Sequence, residues 1–217
     1  MNSGVKVAAL LHEGVPPNWY DQSLKVDLLQ RIWHKKRFLE VSRLIEPRGG
    51  NILDIGCADG TFSKIIFDKS KANRLIGIDV LKSSVDWANE HWGKIGKMKF
   101  RIDDANNLNF NNAVFDAVFA LEVLEHVAKP RKVLFEIKRI LKKDGYAVFL
   151  VPSDSLLFRT IWFFWLHFYP RGWVWRNTHI QTYRNNYLLK ISEEAGFKIE
   201  VDKKFALAML HLVKVRK

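Results

Sequence analysis

The chain has 217 residues and a single cysteine, Cys57, so it can form no internal disulfide, and its length suits one domain with a sizeable core. With 48% hydrophobic and 27% charged residues it falls outside the disordered and fibrous classes. No apolar run approaches the roughly 20 residues that a membrane span needs. The formal net charge of +12 favours an anionic partner and is unevenly spread. Between Asp154 and Glu193 there is no carboxylate, while Arg159, Arg171, Arg176, Arg184 and Lys190 fall there. The first eleven residues carry one lysine and a short apolar run, which His12 and Glu13 end. A signal peptide is therefore not expected. With the lone cysteine this leads us to expect a reducing, cytoplasmic setting.

Residues 1–18 close on Val15-Pro16-Pro17-Asn18 and read as a non-helical lead-in. From about Leu24 to Ile45 the spacing of Leu28, Leu29, Ile32, Trp33, Leu39, Leu44 and Ile45 predicts one amphipathic helix. Pro47-Arg48-Gly49-Gly50 stops it. This helix is expected to pack beside the sheet and to cover a ligand cleft. Ile52, Leu53 and Ile55 form the apolar run of a buried strand. Gly56-Cys57-Ala58-Asp59-Gly60 follows as a turn, and Phe62, Ile65, Ile66 and Phe67 mark a helix after it.

Arg74–Asp79 reads as a second strand ending in an acid. Ser83 or Ser84 is the expected N-cap of a helix through Trp87 and Trp92. Met98–Asp103 alternates as a third strand, and Phe115–Ala120 is a fourth. Pro130 opens a helix with Val133, Leu134, Ile137, Ile140 and Leu141 on one face, which Gly145 is expected to close. Tyr146–Val151 is a fifth strand. Strands alternating with helices imply a parallel sheet covered on both faces.

Residues 155–180 read as aromatic and irregular, with four of the eight tryptophans. A helix through Tyr187, Leu188 and Ile191 ends at Gly196. Phe197–Val201 and Ala206–Val215 look like two strands joined by Asp202-Lys203-Lys204. So short a connection makes them antiparallel.

The glycine turn sits where open α/β sheets hold ligands. A dinucleotide site would want G-x-G-x-x-G, with pyrophosphate at a helix N-terminus. Here the middle glycine is replaced by Ala58, and Asp59 brings a negative charge where phosphate would lie. Both points disfavour a dinucleotide.

With Leu53-Asp54-Ile55-Gly56-Cys57-Ala58-Asp59-Gly60, Gly77-Ile78-Asp79, Asp104-Ala105 and the Phe115–His126 stretch, the chain resembles the class I S-adenosylmethionine-dependent methyltransferases, in particular the type-11, ubiquinone-biosynthesis-like group. The resemblance covers residues 48–151 firmly and the rest loosely. It implies an α/β, three-layer Rossmann-like fold, with a seven-stranded, mostly parallel sheet whose last strand is antiparallel. One domain is expected over 1–217: a helical cover (1–47), the cofactor-binding core (48–151), an aromatic basic lid (152–182), and a C-terminal helix and strand pair (183–217). It also implies S-adenosyl-L-methionine as cofactor. Gly56, Cys57, Ala58 and Gly60 would approach the amino-acid end, and Asp54 would face its ammonium. Asp79 would accept both ribose hydroxyls, and Asp104 and Ala105 would meet adenine. Ile78, Val80 and Leu121 would supply apolar contact.

Methyl transfer asks the protein mainly to position the acceptor and sometimes to take its proton. Glu122, Glu125 and His126 lie just after the fourth strand and share one face if that turn is helical. His126 and Glu122, with His179, are the candidate catalytic residues. In two branches of the family a Glu-x-x-Glu-His pattern binds a divalent ion. That makes Glu122, Glu125, His126 and His179 the candidate set, with metal the less favoured reading.

The acceptor is expected to be a small apolar or anionic molecule, such as a quinone precursor, a polyprenyl or a lipid-linked compound, methylated on oxygen. Residues 155–180 are the expected lid and a candidate for peripheral membrane contact. An RNA 2′-O-methyltransferase and a non-catalytic cofactor-binding adaptor are the alternatives, and nucleic acid is disfavoured as a partner.

Overall fold

The computed structural model describes residue 10, residues 12–176 and residues 178–217. Most of the lead-in therefore lies outside the described residues. The β-branched and aromatic runs form seven strands: β1 Asn51–Ile55, β2 Arg74–Asp79, β3 Met98–Ile102, β4 Phe115–Leu121, β5 Leu141–Pro152, β6 Lys198–Phe205 and β7 Leu210–Arg216. They build one sheet in the order β3-β2-β1-β4-β5-β7-β6. The first five pair in parallel, and β7 runs antiparallel to both β5 and β6. In register, Leu53 lies beside Ile76 on one side and Val118 on the other. The central strands are buried on both faces, as a parallel sheet under two helical layers requires.

Among the described residues the main helices are α1 Trp19–Val26, α2 Leu28–Ser42, α3 Thr61–Ser70, α4 Lys82–Trp92, α5 Pro130–Ile140, α6 Leu156–Phe168 and α7 Tyr187–Glu194. On one face of the sheet, Phe38 and Val41 of α2, Phe62 and Ile66 of α3, and Val85 and Ala88 of α4 pack on Ile52, Phe119 and Val148. On the other face, Val133, Leu134 and Ile137 of α5 and Leu188 and Ile191 of α7 pack on Leu53, Val118 and Phe149. This is the expected three-layer α/β sandwich.

Several local expectations are corrected. The single helix over Leu24–Ile45 is two, α1 and α2. Asp27 is extended (φ −130°, ψ 112°) and its carboxylate caps α2 by accepting the Gln30 N–H. The face of α2 is also reversed. Gln30, His34 and Arg37 are buried, while Leu28, Leu29 and Ile32 are exposed. Residues 155–180 are not irregular: α6 begins at the Ser155 cap, whose hydroxyl accepts the Phe158 N–H, and Pro170–Trp175 forms a 3-10 turn.

Helix α4 starts at Lys82 and is not capped by Ser83 or Ser84. Asp79 fixes its entry instead, accepting the Leu81 N–H. Helix α5 ends at Ile140, before Gly145, because Leu141 already joins β5 opposite Phe115. The final hairpin does not turn at Asp202-Lys203-Lys204, which belong to β6. It turns at Ala206-Leu207-Ala208, all three left-handed.

Candidate active site

The C-terminal ends of β1, β2 and β4 open into a cavity of about 680 Å³, roofed by α1, α2, α6 and the 3-10 turn after it. That is the place where an open parallel sheet presents its ligand. After β1 the chain reverses on Gly56 (φ +70°) and Ala58 (φ +44°). A Cβ at Gly56 would collide with the Val123 side chain, so glycine is required there by packing as well as by its backbone angles. The Gly56 and Cys57 N–H groups both donate to the Ile78 carbonyl. The Ala58 N–H donates to Asp79 Oδ2 at 2.9 Å. The turn is thereby clamped to the end of β2.

Seven of the eleven residues assigned to the cofactor line this cavity: Gly56, Ala58, Ile78, Asp79, Val80, Asp104 and Ala105. Asp54, Cys57, Gly60 and Leu121 lie behind it. Asp54 is buried in β1, and its carboxylate accepts the Ser63 hydroxyl at 2.6 Å. Burial raises its pKa to about 7, against the Ser63 bond and with some help from Asp79. Gly60 (φ +75°) caps α3, and a Cβ there would come within 2.6 Å of Trp92. Asp79 accepts two backbone N–H groups, and burial pushes its carboxyl above the ordinary range. Each carboxylate oxygen keeps a second lone pair for a ligand hydroxyl.

Asp59 does not face the cavity. Its carboxylate is buried and accepts the Thr61 N–H of α3 (3.0 Å) and the Asp21 N–H of α1 (2.9 Å). The α3 N-terminus, where a pyrophosphate would bind, is thus already occupied by a side chain.

The stretch after β4 is not an α-helix. Glu122 is left-handed (φ +57°), and Leu124–His126 is a 3-10 turn. Glu122 therefore parts from Glu125 and His126, which stay together. Glu122 pairs with Arg37 of α2 at 2.7 Å, both being largely buried. Glu125 is buried, and its backbone carbonyl accepts the N–H groups of Ile180 and Gln181. These bonds strap residues 178–183 over the turn and bring His179 to His126, with ring centroids 5.0 Å apart. His12 joins from the other side, its Nε2 lying 3.3 Å from His126 Nδ1.

His126 Nδ1 lies 2.8 Å from the Thr178 carbonyl. A carbonyl only accepts, so Nδ1 carries the proton and Nε2 the lone pair. Burial, then the His179 and His12 rings, push His126 well below the usual histidine range. Burial followed by His12 brings His179 to about 4. Both rings are neutral at neutral pH.

Ligand atoms of Glu125, His126 and His179 lie within 4.8 Å of one another. The buried Glu125 Oε2 has no hydrogen-bond partner among the described residues. This one-carboxylate, two-imidazole set fits a borderline transition ion better than magnesium, which prefers oxygen ligands. Such an ion would supply Lewis acidity beside the acceptor. Glu122, tied to Arg37, is not part of the set.

The sequence reading missed the polar roof. Gln30, His34 and Arg37 line the cavity from the inner face of α2. Their i, i+4, i+7 spacing was the available signal. Gln30 Nε2, His34 Nδ1 and Arg37 Nε are buried without hydrogen-bond partners among the described residues. Burial first, with the Arg37 and Arg171 charges adding to it, lowers His34 to about 2, so its ring is neutral. Trp33, Ile161, Trp162, Trp165 and Trp175 form apolar walls.

Sheet order, clamped glycine turn and strand-end acids define an S-adenosylmethionine-dependent methyltransferase. Residues 27–201 match the family described as a methyltransferase domain, and the chain belongs to that family. It is 27% identical over 184 residues to a ubiquinone biosynthesis O-methyltransferase of Rickettsia prowazekii, an alignment covering 77% of this chain and 67% of the relative. To a juvenile hormone acid O-methyltransferase of Bombyx mori it is 29% identical over 171 residues, covering 70% of this chain and 59% of the relative. An Aquifex aeolicus S-adenosylmethionine-dependent methyltransferase shares the fold, with a TM-score of 0.63 at 18% identity, covering 91% of this chain and 97% of that one.

Proposed function

We propose that the enzyme methylates an oxygen of a small acceptor with an apolar body and a polar or anionic head, of the quinone-precursor, polyprenyl or lipid-linked class. The observation that carries this reading is the mixed lining of the cavity. Buried, unpartnered polar atoms of Gln30, His34 and Arg37 face apolar walls built by Trp33, Ile161 and Trp165. Unpartnered polar atoms in an apolar cavity are costly unless a ligand meets them. Two relatives act as O-methyltransferases, and the name of one specifies an acid as its substrate.

In the proposed step an acceptor oxygen attacks the methyl carbon in line with sulfur. The C–O bond forms as the C–S bond breaks, and that bond's electron pair returns to sulfur. Where no ion takes its lone pair, His126 Nε2 accepts the hydroxyl proton. Asp79 orients the ribose, while Asp104 and Ala105 hold the adenine. Asp54 acts on the ammonium from behind the turn. Nucleic acid suits the site less well. Arg37 is spent in a buried ion pair, and Arg171 donates to Ser23 Oγ and lies over the Trp19 ring.

The test is transfer of labelled methyl from S-adenosylmethionine into a cell extract, followed by fractionation. Label should enter the solvent-extractable small-molecule or lipid fraction. Label in RNA or protein alone, or cofactor binding with no label anywhere, would overturn the proposal. Gln30→Leu should raise KM for the acceptor about tenfold while leaving cofactor affinity unchanged.

A further inference from the structure

Helix α6 has one charged residue, Arg159, among thirteen, and Phe158 is its one buried side chain. Phe158, Trp162 and Trp165 turn toward the cavity. The opposite face, where a water-facing helix would be polar, presents Leu156, Thr160, Phe163, Phe164, His167 and Phe168. Phe164 and Phe168 are 56% and 71% exposed, too much for side chains serving only the core.

Helix α2 repeats the inversion, exposing Leu28, Leu29 and Ile32 with Lys35 and Lys36 between them and Leu39. The two outward faces are joined. Tyr169, following Phe168, donates its hydroxyl to Asp27, which precedes Leu28. Arg171 is bonded to Ser23 of α1. The mouth of the cavity lies on this surface, since Leu29, Ile161 and Ile180 are both exposed and part of its lining.

We propose that this surface docks on an anionic lipid bilayer, with α2 and α6 lying in the interface. This deepens the acceptor reading above by naming the phase from which the acceptor enters. The charge pattern selects the occupant. Lys35, Lys36, Arg159 and Arg176 are exposed around the apolar faces. No carboxylate occurs from residue 28 to 39 or between Asp154 and Glu193. A second copy of the chain would set these cations against one another, whereas anionic headgroups neutralise them. Leucine and aromatic side chains on one face with lysine and arginine at its margins are the make-up of an interfacial helix. With the mouth in the interface, an acceptor with an apolar tail reaches the methyl donor without crossing water.

The test is co-sedimentation with vesicles of equal parts phosphatidylcholine and phosphatidylglycerol, against pure phosphatidylcholine. Neither acceptor nor methyl donor is present, so this proposal and the acceptor proposal fail separately. The protein should pellet with anionic vesicles, stay in solution with neutral ones, and be released by salt. Phe164→Ser with Phe168→Ser should weaken binding about tenfold, as should Lys35→Glu with Lys36→Glu. Both pairs should keep cofactor affinity and turnover of a short water-soluble acceptor, which shows that the fold is intact. The proposal is overturned if the protein ignores anionic vesicles or if both pairs bind like the parent. It is equally overturned if light scattering shows a dimer that Phe168→Ser separates.

Discussion

Helices α5 and α2 are alike in amphipathic composition and opposite in use. Helix α5 buries Val133, Leu134, Ile137 and Ile140 against the sheet, with its charges outward. Over its first ten residues α2 turns Gln30, His34 and Arg37 inward and leaves Leu28, Leu29 and Ile32 in solvent. Only from Phe38 and Val41 does it behave as a core helix. The difference lies in the neighbour. Helix α5 rests on Val118 and Phe149, whereas the first half of α2 roofs a cavity that must hold a polar ligand. The inner face of a helix takes the polarity of what it covers.

The sharpest way to break that contrast is to remove the charge pair under the roof. Arg37→Met leaves Glu122 buried and unpaired, and should cost about 3–5 kcal/mol by chemical denaturation. Adding Glu122→Leu should restore most of that loss while abolishing catalysis, marking the pair as a feature kept for the site. His126→Ala should lower turnover about a hundredfold with cofactor affinity retained, read by single-turnover kinetics beside calorimetry. Asp79→Ala acts on the core side. It frees the Ala58 and Leu81 N–H groups and should weaken cofactor binding by roughly tenfold to a hundredfold. Near-parental affinity would remove Asp79 from the ribose.

The smallest effect belongs to Glu46, which is bonded to β7 and lies outside the cavity lining. Burial opposes ionisation of Glu46, but its bonds from Arg216 and Lys214 prevail and hold it at about 2. The depressed pKa contributes stability that is complete above about pH 5 and is lost as pH falls toward 2. Glu46→Gln should flatten that acid limb of the unfolding profile and leave turnover at neutral pH unchanged.

The core was legible because its patterns depend on near neighbours in sequence. Ile52-Leu53 and Phe119-Ala120 announce strands buried on both faces, and Gly56 with Asp79 marks the turn and the next strand end. The cap was not, because its side chains answer to distant partners. Arg37 reads as one more surface cation until Glu122, 85 positions later, is seen beside it. The histidines of the site come from positions 12, 126 and 179, and backbone bonds to Glu125 bring the last of them in. The α6 region read as irregular because an apolar helix with no polar face has no periodicity to detect.

Asp59 takes one oxygen to the N-terminus of α3 and the other to the first turn of α1, so a single carboxylate joins the cofactor turn to the cap. A cap that swings open must either break its bond to Asp59 or pull on the turn. The turn after β1 and helix α1 are therefore mechanically in series.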